Sequence, residues 1–269
     1  MIVERWILAR LRNRQFFSIE ALNLAIAELL ADLNARTMRR VGRSTSIHRD
    51  AAIGFSIRPP GPSLAHTRKG GPMTHALVVI DVQNDFCPGG ALGVNEGDRI
   101  VPGINALMAD FGAVILTQDW HPPGHSSFAS SHGAAPMTMT EMPYGPQVLW
   151  PDHCVQGSHG AAFHPDLDTD RADLILRKGF NPALDSYSAF FENDHETPTG
   201  LEGYLRTRGI ETLAMVGLAT DFCVNWSAVD AATLGFSVTV RRDLCRAIDL
   251  DGSLDAALAA MTDAGVTLA

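Results

Sequence analysis

The chain has 269 residues, of which 46% are hydrophobic and 19% charged, with a formal charge of -9. That balance excludes an intrinsically disordered protein and is ordinary for a folded globular one. Four cysteines, at 87, 154, 223 and 245, are too few and too scattered for a disulfide scaffold. They point to a reducing, cytoplasmic compartment in which single thiols are free for chemistry. The longest apolar runs fall short of the ~18 residues a membrane span requires. The first fifteen residues break their apolar stretch with Glu4, Arg5, Arg10, Arg12 and Arg14, so no signal-peptide core is expected.

Charge divides the chain. Residues 1 to 72 carry 12 basic and 5 acidic side chains, residues 73 to 269 carry 9 and 25. In the basic part, Ser18 suits an N-cap, and Leu22, Ile26, Leu29, Leu30 and Leu33 share one face of a predicted helix. The cluster Arg36, Arg39, Arg40 and Arg43 can touch phosphates, although a solvated helix end is the commoner use of a short basic run. Residues 44 to 72 contain Pro59, Pro60, Pro62, Gly70, Gly71 and Pro72, which predicts an extended linker. A separate domain is expected from Met73 onward, after a 1 to 43 extension and a 44 to 72 linker.

From Met73 the periodicity is regular. Strands are predicted at Ala76 to Ile80, Ala113 to Leu116, Asp173 to Leu176, Leu213 to Val216, Ser237 to Val240 and Val266 to Leu268. Helices are predicted at Gly97 to Asp110, Gly200 to Arg208, Phe222 to Leu234 and Gly252 to Ala264. Apolar strands alternating with helices imply an α/β fold: three layers, with a mainly parallel six-stranded sheet covered on both faces. Such sheets place their sites at the carboxyl ends of the strands. Asp81, Asp119, Lys178 and the turn leading to Cys223 all follow strands, so four unlike side chains converge on one rim.

Cys223 lies in GLATDFCVNWSAVDAA, at the start of a predicted helix whose free N–H groups favour a thiolate and a developing oxyanion. A lone cysteine is most often a small buried hydrophobe, which is the expectation for Cys87, Cys154 and Cys245. Lysine occurs only twice, as Lys69 and Lys178, so arginine is the default cation and an ammonium at the end of an apolar strand stands out. It is a compact charge suited to a thiolate or an anionic transition state. Asp81 beside thiol and ammonium suits proton shuttling. A second cluster runs through DWHPPGHSSF from Asp119 and WPDHC from Trp150. Asp119 and His121 can point the same way from an extended loop. With His153 they would form a carboxylate and two-imidazole set for Zn, Fe or Mn, with His125 as a further candidate ligand.

The segments IDVQNDFCPGGAL, TQDWHPPGHSSFAS, WPDHCVQGSHGAAFHP, RKGFNPALDSYSAFF and GLATDFCV occur in an order that resembles bacterial nicotinamidases (pyrazinamidases) of the isochorismatase-like cysteine hydrolases. The resemblance runs from Met73 to about the chain end. It implies a triad of Asp81, Lys178 and Cys223, and a divalent metal, zinc foremost, on Asp119, His121 and His153. It further implies an oxyanion hole from the N–H groups of Ala219 and Cys223 next to a cis Leu218–Ala219 peptide, and ring contacts from Phe86, Trp150 and Tyr187. The expected reaction is hydrolysis of nicotinamide to nicotinate in NAD salvage, with pyrazinamide a further substrate, and with neither nucleic acid nor membrane as partner of this domain. Two other readings are another small-amide hydrolase of the superfamily and an inactive fusion whose basic N-terminal part binds nucleic acid. The stretch VERWILARLRNRQFFSIEALNLAIAELLADLNAR resembles the tail of an insertion-sequence transposase, which makes residues 1 to 43 a candidate fused fragment or an upstream mis-assigned start.

Overall fold

A computed structural model describes residues 75–269. The helix on Leu22 to Leu33 and the 44 to 72 linker lie outside the described residues.

Six strands form one sheet: β1 (His75–Ile80), β2 (Ala113–Asp119), β5 (Leu174–Lys178), β6 (Thr212–Leu218), β7 (Ser237–Arg246) and β8 (Thr267–Leu268). Their order is β5-β2-β1-β6-β7-β8, and every pairing is parallel. β1 carries HALVVI and β2 carries AVILTQD. Apart from His75 all of these residues are buried, as continuous apolar strands inside a sheet covered on both faces should be. The helices between strands are α1 (Val101–Leu107), α2 (Leu201–Thr207), α3 (Asn225–Thr233) and α4 (Ser253–Asp263). Pro102, near the amino end of α1, costs that helix no hydrogen bond.

The chain moves outward from β1 to β2 and β5, then returns to β6 on the other side of β1 and proceeds to β7 and β8. The direction therefore reverses between β1 and β6, the switch point at which ligands enter open α/β sheets. Gly217 makes the junction tight. It stands opposite Ile80 with φ +120°, and a Cβ there would run into the Ile80 carbonyl oxygen.

Two features were not expected. A two-stranded antiparallel hairpin, β3 (Thr138–Met142) with β4 (Gly145–Leu149), lies between β2 and β5. β7 also runs on to Arg246, pairing Cys245 with Gly217 and Arg246 with Leu218 beyond a register shift. The last strand is held at its end, because Ala269 donates to Val240 and accepts from Arg242.

Candidate active site

β2 and β5 are paired so that Asp119 stands beside Lys178, and β1 delivers Asp81 one residue past its end. The Lys178 ammonium is fully buried and sits 2.9 Å from Asp81 Oδ2 and 2.9 Å from Asp119 Oδ1. It also donates to the Ser186 carbonyl at 2.8 Å and lies 3.6 Å from Cys223 Sγ. The structure thus brings together the three residues expected to form a triad and adds Asp119 to them. Asp81 adopts φ +48°, and its backbone N–H donates to Thr117 Oγ1, whose hydroxyl donates back to Asp81 Oδ1 at 2.6 Å. Oδ2 takes no hydrogen bond beyond the Lys178 ion pair, which leaves it free to accept a proton.

Burial dominates the electrostatics. Desolvation raises the Asp81 pKa, with Lys178 opposing and Asp119 assisting. For Lys178, desolvation acts against the charge, but Asp119 and Asp81 outweigh it and hold the amine protonated. Desolvation also pushes the Cys223 thiol well up, more than Lys178 can offset. That shift favours the protonated thiol over the thiolate. The helix start that carries it is one wide turn, Thr220–Val224, followed by α3. The Leu218–Ala219 peptide is cis, and both Ala219 and Cys223 line the pocket.

Beside this group, Asp119 Oδ2 lies 3.2 Å from His121 Nε2 and 3.5 Å from His153 Nε2. All three side chains are buried, with their ligand atoms within 4.8 Å of one another. Loop pairing assembles them: His121 donates its N–H to the Cys154 carbonyl, and Cys154 in turn donates to Asp85 Oδ2. His121 Nδ1 is 2.8 Å from the Gly179 carbonyl and His153 Nδ1 is 2.8 Å from the Pro151 carbonyl. A carbonyl can only accept, so each Nδ1 carries a proton, and each Nε2 faces Asp119. Asp119 is held well below the usual carboxylate range because Lys178 and His121 overcome its burial. Two buried carboxylates against one ammonium leave an excess negative charge, and the donors are N, N and O. The set fits a divalent cation such as zinc.

His125 does not join this trio. Its Nδ1 accepts from the Ser127 N–H at 3.2 Å and lies 2.8 Å from Ser127 Oγ, while Nε2 donates to the Asn181 carbonyl at 2.8 Å. Its ligand atom groups instead with those of His121 and Asp185, all within 4.8 Å of one another.

A pocket opens on Cys223, lined by Phe86, Trp150 and Tyr187 as expected, and by Leu92, Asp185, Phe222 and Ile248, which the sequence reading missed. Phe222 lies edge-on to Trp150 at 4.9 Å and to Tyr187 at 5.7 Å. Gln147 of β4 donates to Asp185 Oδ2 and to the Tyr187 hydroxyl, which also accepts from the Trp150 indole. Gln83 holds both backbone groups of Asp119, donating to its carbonyl and accepting from its N–H. Gln83 sits inside IDVQNDF, so its place in the motif was a signal; Gln147 has none.

A parallel α/β sheet that gathers a thiol, a carboxylate and an ammonium at its switch point defines the class as a cysteine-dependent hydrolase. An isochorismatase domain matches residues 75–269, and the chain belongs to that family. It is 55% identical over 192 residues to a nicotinamidase of Acinetobacter baylyi, covering 71% of this chain and 90% of that one. Among solved structures it resembles the Acinetobacter baumanii nicotinamidase/pyrazinamidase (TM-score 0.73, 55% identity, 74% of this chain, 97% of that one). It also resembles a Pyrococcus horikoshii pyrazinamidase in complex with zinc (TM-score 0.59, 35% identity, 73% and 98%). Separately, a 44-residue stretch is 80% identical to a putative transposase of Sinorhizobium fredii, covering 8% of that protein.

Proposed function

We infer that this chain is a nicotinamidase, hydrolysing nicotinamide to nicotinate and ammonia in NAD salvage and deamidating pyrazinamide as well. One observation carries the reading. The buried Asp81, Lys178 and Cys223 group meets an aromatic-walled pocket that Asp119 and His153 also line, with His121 beside them.

In this reading Asp81 takes the Cys223 proton as the sulfur attacks the carboxamide carbon, and the N–H groups of Ala219 and Cys223 receive the oxyanion. The C–N bond breaks as Asp81 returns the proton to the departing ammonia, leaving a thioester. Water then attacks that thioester, giving its proton to Asp81, and the C–S bond breaks as the proton returns to sulfur. Lys178 stays charged throughout, steadying Asp81 and the developing thiolate. Phe86, Trp150 and Tyr187 contact the ring. Asp119, His121 and His153 would hold a divalent ion, zinc foremost with Fe or Mn as alternatives, which would supply a Lewis-acid contact to orient the ring nitrogen. The four free thiols suit a reducing cytoplasm.

Ammonia release from nicotinamide, pyrazinamide and aliphatic amides tests the reading: the two aromatic amides are turned over and the aliphatic ones are not. Cys223→Ala abolishes turnover with the fold intact, whereas Cys87→Ala and Cys245→Ala keep it. Burial pushes those two thiols up to about 11 and about 12, and they remain protonated packing groups. His153→Ala or chelation impairs nicotinamide turnover while a thiol-reactive probe still modifies Cys223. Unchanged turnover after both treatments removes the metal from the reading.

A further inference from the structure

The pocket at Cys223 is not the end of the opening. A second recess lies outside it, and the two share Leu92 and Ile248 as a common wall. Their sizes differ sharply: about 20 Å³ inside, space for about one water molecule, against about 370 Å³ outside. A six-membered ring enters the inner space only if a wall residue yields, and the wall residues are not held alike. Phe86, Trp150, Tyr187 and Phe222 brace one another or the metal ligands as edge-on aromatics. Leu92 is buried in the core. Ile248 is half-buried, on the loop of residues 247–252 between β7 and α4.

One side chain ties that loop down. Asp221 Oδ1 accepts from the Ile248 N–H at 3.0 Å, and Oδ2 accepts from the Asp249 N–H at 2.7 Å and from Ser253 Oγ at 2.5 Å. Asp221 is 4% exposed and forms no ion pair among the described residues. It stands two positions before Cys223 in the same turn, so the nucleophile and the loop share one anchor.

We propose that Ile248 is a specificity-determining residue and Asp221 its positioning residue: the carboxylate fixes Ile248 against the turn of the nucleophile, and the Ile248 side chain sets the largest ring that reaches the thiol. The proposal rests on the nicotinamidase reading. A single ring fits with a small displacement of the wall, whereas a fused bicyclic amide needs space that belongs to the outer recess. Shortening Ile248 joins the two spaces.

The test is the ratio of kcat/KM for quinoline-3-carboxamide to kcat/KM for nicotinamide, measured by ammonia release. Ile248→Ala raises the ratio at least about 10-fold, the discrimination that one or two methylenes supply in an apolar pocket. Ile248→Phe lowers it. Asp221→Asn turns an N–H toward one of the loop's own N–H groups and loosens the loop. It raises the ratio by about 3-fold or more, mainly through KM, and Ser253→Ala moves it in the same direction by less. A ratio unmoved by Ile248→Ala overturns the proposal, as does an Asp221→Asn variant that lowers kcat equally for both amides. If Asp221→Asn does not fold, Ile248→Ala at its half-buried position still decides. Wild-type enzyme that releases no ammonia from nicotinamide overturns the nicotinamidase reading itself; turnover with an unmoved ratio overturns only the role of Ile248.

Discussion

Lys178 organises the site. Its ammonium is the one cation shared by Asp81 and Asp119 in a volume that excludes water, with the thiol at 3.6 Å. A buried pair is not worth much relative to an apolar replacement of the whole group, but removing a single member strands the others. Lys178→Met should therefore cost about 3–5 kcal/mol in urea unfolding as well as all turnover. Lys178→Arg should not rescue it, because a planar fork cannot replace a compact charge that meets two carboxylates and a carbonyl at once. Stability equal to wild type in Lys178→Met would mean that both carboxylates already carry protons. The position of Lys178 was legible from composition, since lysine is nearly absent elsewhere. Its contact with Asp119 was not, because that depends on the register of β2 against β5.

At the scale of elements, the junction of β1 and β6 decides the geometry. Gly217 pairs with Ile80 on one side and Cys245 on the other. Gly217→Ala meets both a positive φ and the Ile80 carbonyl oxygen, and it should lose at least about 2 kcal/mol of stability. Gly203→Ala is the contrast: in α2, with open space around it, it should be neutral or stabilising by up to about 1 kcal/mol. Equal effects would show that β6 can move away from β1. The central strands were legible because buried parallel strands are unbroken apolar runs. β3 and β4 were not, since TMTEM is largely exposed and GPQVL carries a proline inside the strand. β7 was cut short because RRDLCR is polar, and its pairing is imposed by the neighbouring strand.

For the whole molecule, every residue of the proposed site lies between Asp81 and Ile248, inside the matched family domain. None of the described helices is long and apolar enough to cross a membrane. The proposed division at Met73 has a direct test: a chain beginning there should fold and hydrolyse nicotinamide at close to the rate of the 269-residue chain. A large loss of rate or stability would show that the basic segment contributes to the hydrolase, and that the proline- and glycine-rich stretch before Met73 is no passive linker.

The sequence alone determined what is local or periodic: the strand and helix alternation, the strand ends that carry Asp81, Asp119 and Lys178, and the metal-type spacing of Asp119 and His121. Those features follow from side-chain chemistry along a few neighbouring residues. Tertiary structure decided the direction in which the thiol shifts, because burial raises its pKa more than Lys178 lowers it. It also decided the partners of His125, whose nitrogens meet Asn181, 56 residues away, and Ser127. The pocket wall belongs here too, since Phe222, Leu92 and Ile248 come from separate segments of the chain. These outcomes depend on which distant groups share a volume without water, and no spacing along the chain encodes that.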